Sequence, residues 1–171
     1  MKKHRTILLV LAAVVGLSVS VYAAKRLWSA SMSADFELHD VIGSNAIGSA
    51  VIITKPDGSA WEFRVKIVGL SGVPTGVSLH GWATAQQEAP IILGLCGTPG
   101  PSALASCASG YDASTKTLEI TGDITSPLLM QWGLRGREFQ QNLSAGLVYV
   151  SAHTALNPLG ECRGQFQQIF P

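Results

Sequence analysis

Two histidines stand where they could hold a metal: His80 in Val77-Ser-Leu-His80-Gly81, and His153 in Leu147-Val-Tyr-Val-Ser-Ala-His153-Thr154. Imidazole suits copper and zinc, and one histidine on each of two neighbouring strands can present both rings to one ion. A closed site needs about four ligands and a catalytic one about three; His39 and Glu161 are the residues that would add to the pair. No Cys/His cluster lies beside them, so hydrogen-bonded histidines that tie strands to loops are the preferred reading, with no cofactor. Glu161 and Arg163 are two apart, hence on one face of a strand, where they would form an ion pair or hold the turn at Asn157. Ser151 lies two residues before His153, but no Gly-x-Ser-x-Gly elbow or orienting Asp is legible, which argues against a hydrolase. Trp82, Gln86 and Gln87, with Trp132 further on, are candidates for a surface that takes a glycan or a protein.

Three cysteines are present. Cys96 and Cys107 bracket a Gly/Pro/Ser-rich loop, and closing a loop of that size would stabilise by about 3 kcal/mol in the chain-entropy model. Cys162 alternates with Glu161 and Arg163, so it reads as a small buried apolar residue; the odd count leaves open a bond from Cys162 to one of the others or to a second chain.

The elements that must position these residues are strands. Ala60-Trp-Glu-Phe-Arg-Val-Lys-Ile-Val68 alternates cleanly, with Trp61, Phe63, Val65 and Ile67 on one face and Glu62, Arg64 and Lys66 on the other. Residues 32–38, 46–54, 77–81, 90–95 and 116–122 read as further strands, and Lys55-Pro-Asp-Gly58 is a turn. Residues 146–166 form a hairpin through Asn157-Pro-Leu-Gly160. Near residues 136–143 the apolar spacing turns helical, and one short helix is expected there. Seven to nine short strands at about ten-residue intervals predict an all-β, antiparallel Greek-key sandwich or barrel.

The chain's 171 residues suffice for one domain. Hydrophobic residues make up 47% and charged residues 13%, and part of the apolar share is concentrated at the N-terminus. Lys2, Lys3 and Arg5 precede an apolar run from Ile7 to Ala24, and Val21-Tyr-Ala23 supplies small residues for cleavage. Residues 1–23 therefore read as a signal peptide, with an uncleaved anchor over residues 7–24 as the alternative. Residues 24–30 read as a linker, and the domain as 31–171. Either way the remainder is exported, periplasmic or secreted, and an anchor would hold it at the inner membrane. Twelve basic residues less Lys2, Lys3 and Arg5 leave nine against eleven acidic ones, a net of −2, which recruits no nucleic acid.

The hairpin carries a resemblance. Leu147-Val-Tyr-Val-Ser-Ala-His153-Thr154 followed by Gly160-Glu161-Cys-Arg163-Gly164-Gln165 is similar to the "LYVNVHT…GEIRGQ" pattern of CHRD domains, the module first described in chordin and widespread as exported bacterial proteins. Gly69-Leu70, Val77-Ser-Leu-His80-Gly81 and Ala89-Pro-Ile-Ile-Leu-Gly-Leu95 match its other marks. The resemblance runs over most of residues 31–169, makes Thr154, Glu161 and Arg163 a structural signature, and implies a binding or structural module of the cell envelope. Its partner would be an envelope or extracellular protein or glycan. Ser78 replaces the first histidine of the family's His-x-His strand, and Asp40-Val-Ile42 lacks the proline usual there. The alternative it leaves is a copper or zinc protein, a superoxide-dismutase-like sandwich using His80 and His153.

Overall fold

The structure is a computed structural model that describes residues 25–97 and 100–170; the signal-peptide or anchor segment lies outside the described residues. Among the described residues eleven strands follow one another as β1 (Leu27–Ser33), β2 (Ile47–Thr54), β3 (Ala60–Val68), β4 (Pro74–Gly81), β5 (Ile91–Gly97), β6 (Ser102–Leu104), β7 (Tyr111–Asp112), β8 (Thr117–Thr125), β9 (Val148–Thr154), β10 (Cys162–Gln165) and β11 (Gln167–Phe170). Two short helices, α1 (Ser126–Gln131) and α2 (Gly136–Ser144), separate β8 from β9. Strand accounts for 47% of the chain and helix for 15%, so the mostly-β expectation holds.

The strands form one sheet in the order β6-β5-β4-β9-β10-β1-β2-β3-β8-β7, with β11 also on β1. Every pair is antiparallel except β5 with β6. The two packed sheets of a sandwich are therefore replaced by one mixed sheet curled into a half-barrel. Alternation shows that one face of each strand is buried without showing what covers it; here the sheet covers itself. β6 comes round against β8, so that a Cβ on Gly122 would meet Leu104 Cδ2 at 3.5 Å.

Inside the curl lies one apolar core that includes Trp28, Ile52, Phe63, Ile67, Leu79, Leu93, Val150 and Phe166. β3 contributes as its alternation predicts, with Trp61, Phe63, Val65 and Ile67 buried. The turn before it is fixed by Asp57, whose Oδ1 accepts from Ser59 N at 3.0 Å and Ser59 Oγ at 2.7 Å. α1 and α2 close one end. Thr125 Oγ1 caps α1 by accepting from Leu128 N at 3.3 Å, and Phe139 of α2 meets Trp61 edge-on at 5.4 Å between ring centroids.

Two boundaries differ from expectation. Residues 27–30, read as linker, belong to β1, where Trp28 and Ala30 are buried. The strand expected over 32–38 stops at Ser33, whose Oγ accepts from Asp35 N at 3.2 Å and turns the chain into a short 3-10 turn, Ala34–Phe36. The loop that follows crosses the sheet's outer face.

Candidate functional site

Residue parity builds the site. On β4, β9 and β10 the residues Val77, Leu79, Val148, Val150, Ala152 and Cys162 enter the core. Their neighbours Ser78, His80, Tyr149, Ser151, His153, Arg163 and Gln165 therefore share the outer face. Registry places Ser78 opposite Ser151, His80 opposite Tyr149, and Arg163 opposite Ser151 on the other side. β10 can lie close to β1 because Gly164 has no side chain; a Cβ there would run into the Ser31 carbonyl. An outer face of this kind would ordinarily meet water, yet Ser78, His80, Ser151 and Arg163 are buried. The loops after β1 and β4 fold over it. Arg163 Nη2 donates to Gln87 O at 2.8 Å and Thr84 O at 3.3 Å, and Ala89 N donates to Tyr149 Oη at 3.1 Å.

The two histidines meet at Ser78. His80 Nε2 lies 3.0 Å from Ser78 Oγ and His153 Nε2 lies 3.2 Å from the same oxygen. His80 Nδ1 is 2.9 Å from Ala89 O, and His153 Nδ1 is 3.2 Å from Pro158 O. A carbonyl only accepts, so both Nδ1 atoms carry protons and both neutral rings present Nε2 lone pairs to one hydroxyl. Burial pushes the His80 pKa down to about 4 and lowers that of His153, so both rings are neutral at pH 7. His80 also stacks on Tyr149 at 4.7 Å between centroids, and the Arg163 guanidinium carbon lies 3.5 Å from the Tyr149 ring centroid.

Of the residues named as additional ligands, His39 stands with Glu37 and Glu88. Glu161 is fully buried and accepts from Ser71 N at 2.5 Å, Ser71 Oγ at 2.6 Å, Asn157 Nδ2 at 3.2 Å and Thr154 Oγ1. Burial alone would raise its pKa; hydrogen bonds from Ser44, Ser71 and Thr154 outweigh it and hold the carboxyl below its ordinary range. Of the two expected roles, the ion pair of Glu161 with Arg163 does not form and the hold on the Asn157 turn does. Glu161 lies one residue outside β10, so the two-residue repeat does not govern it, and it holds the Asn157 turn while Arg163 turns to Tyr149. Thr154 joins the same knot, accepting from Asn157 N at 3.2 Å.

Ser151 donates to Glu37 Oε1 at 2.7 Å, and burial raises the pKa of that carboxyl. Gln87 Oε1 accepts from Thr84 N and Oγ1 at 3.2 and 3.1 Å, which fixes its loop. Trp82 packs on the edge of the core, while Trp132 Nε1 donates to Pro101 O at 2.7 Å. Gln86 lines an open groove of about 520 Å³ with Phe36, Leu38, Arg163, Gln165 and Ile169. Cys96 and Cys107 are disulfide-bonded; Cys162 is a buried thiol that burial pushes up to about 12. Tyr149 was legible by its parity with Ser151 and His153. Ser71 and Glu88 come from loops, where no periodicity marks them, and Glu37 lies where a strand was expected and a loop is found.

The CHRD domain family matches residues 28–166. No curated protein and no solved structure matches the chain.

Proposed function

We propose, on the premise that the chain belongs to the CHRD-domain family, that it is an exported, non-enzymatic binding or structural module of the cell envelope. The observation that carries this reading is that the groups able to do chemistry are engaged inside the protein. Glu161 holds four donors, Ser151 is tied to Glu37, and both histidines bridge strands to loops. Export is supported by the Cys96–Cys107 disulfide, which belongs in an oxidising compartment, and by the basic and apolar N-terminal sequence. The protein then works in the periplasm or outside the cell, with residues 7–24 as its only membrane attachment if they are not removed. Its partner is an envelope protein or a glycan, and Gln86 is the member of the Trp82, Gln86 and Gln87 set that faces a groove.

A second reading is copper or zinc binding through His80 and His153, favoured by the meeting of both Nε2 atoms at Ser78 Oγ. Cell fractionation, N-terminal sequencing and metal analysis of the protein from the periplasm separate the two. The module reading expects a new N-terminus near residue 24, and no ion whose retention depends on His80 or His153. A stoichiometric ion lost in both His80→Ala and His153→Ala would replace it with the second reading; recovery of the protein from the cytoplasm would overturn export.

A further inference from the structure

Above the Ser78 bridge, three side chains from two loops converge. Glu37 and His39 come from the segment after β1 and Glu88 from the loop after β4, and each brings one ligand atom to within 4.8 Å of the others. An ion bound tetrahedrally at about 2.0–2.2 Å holds its ligand atoms roughly 3.4 Å apart. Closure therefore needs a movement of little more than an ångström, and the Glu88 side chain, 57% exposed on its loop, has solvent beside it to move into.

The outward atom of each residue is already fixed. His39 Nε2 lies 3.0 Å from Gly160 O, so this nitrogen carries the proton and the Nδ1 lone pair faces Glu88 Oε1 at 3.8 Å. Glu37 Oε1 accepts from Ser151 Oγ at 2.7 Å, and Glu88 Oε2 shares the single Tyr149 hydroxyl proton with Ala89 O, each at 3.2 Å. Metal ligands are oriented in this way, by a partner on the atom that does not coordinate. Gly160 is part of the arrangement, since a Cβ there would press on the Glu37 carboxyl at 2.6–2.9 Å.

An independent observation comes from Arg163. The residue is 1% exposed and, among the described residues, its Nη1 has no hydrogen-bond partner; the nearest acidic oxygen among them is Glu88 Oε1 at 3.7 Å, too long for a bond. Buried guanidinium nitrogens are rarely left without an acceptor. A water on an ion held by the three side chains would supply one. We propose that Glu37, His39 and Glu88 bind a divalent transition ion, with Arg163 Nη1 directed at the water that completes its coordination. The two-carboxylate, one-imidazole set suits zinc or manganese and lacks the sulfur that copper(I) prefers.

The test is calorimetric titration of the EDTA-stripped, full-length protein with zinc chloride, repeated with manganese chloride. One equivalent should bind with at least one of the two ions. His39→Ala and Glu88→Gln should weaken binding about a hundredfold and Ser151→Ala, which removes only the orienting hydroxyl, about tenfold. His80→Ala and His153→Ala should weaken it less than His39→Ala and Glu88→Gln do, which keeps this site distinct from the copper or zinc reading above. Glu88→Gln changes an exposed side chain, so a folded variant is available whatever happens to the others. No saturable uptake of either ion, or wild-type affinity in both Glu88→Gln and His39→Ala, overturns the proposal. Uptake lost only in the His80 and His153 variants does the same.

Discussion

Replacing Glu161 by Gln should test whether the buried carboxylate holds the loops at one end of the half-barrel. The side chain keeps its shape, but one accepting oxygen becomes an NH2 group. If it is Oε1, the Ser71 backbone N–H is left facing another donor; if it is Oε2, Asn157 Nδ2 is. Leaving one buried donor unsatisfied costs about 1–3 kcal/mol, and hydrogen bonds to a charged group, about 1.5–3 kcal/mol each, weaken to ordinary ones. Together the loss comes to about 3 kcal/mol. With a urea slope of about 1–3 kcal/mol per molar for a domain of this size, the midpoint should fall by roughly 1–3 M at pH 7, read by tryptophan fluorescence. The acid response should change as well. Because the donors hold the carboxyl below its ordinary range, its contribution is complete above a pH of about 4.3, where the unfolded Glu titrates, and is lost as pH falls through the folded value. The Gln variant lacks that part of the acid loss, so its stability should fall less steeply than the wild type's below pH 4.3. A loss of under about 1 kcal/mol at pH 7, or an unaltered acid slope, would refute the assignment of Glu161 as the centre of the knot.

Three further outcomes follow from other parts of the fold. Burial keeps His80 neutral to about pH 4 while the unfolded chain's histidine titrates near 6.5, so the unfolded state takes up the proton first. Stability of the EDTA-treated protein should therefore fall by about 3 kcal/mol between pH 6.5 and 4, and His80→Gln should flatten that interval in the same denaturation series. Thiol labelling after unfolding without reductant should modify Cys162 alone, and reduction of the Cys96–Cys107 bond, with a sequence separation of 11, should cost about 3 kcal/mol in chemical denaturation. Phe139→Ala removes the fully buried ring that meets Trp61 and should cost about 3–5 kcal/mol, with a change in tryptophan emission that a surface change such as Glu138→Ala does not produce.

The sequence by itself determined what short-range patterns can carry. Period-2 alternation located β3 and put Trp61, Phe63, Val65 and Ile67 in the core; the cysteine-bracketed loop gave the disulfide; helical spacing found α2; and the two halves of the hairpin gave the family. Period 2 also implied that Ser151, His153 and Arg163 share a side. What it could not give is what lies against that side. Whether eleven strands make two sheets or one curled sheet depends on pairings such as β1 with β2 and β4 with β9, which no single strand's pattern encodes. The cover over the polar face is more distant still: Ser151 meets Glu37 across 114 positions and Gly160 meets His39 across 121. Alternation left two roles open at Glu161, an ion pair with Arg163 or a hold on the Asn157 turn, and the tertiary structure selects the turn, since Glu161 lies one residue outside β10. Tertiary structure alone decided that His80 and His153 meet at Ser78 while Glu37, His39, Glu88 and Arg163 gather above them, since loop residues carry no periodicity and are placed only by what the folded sheet offers them to touch.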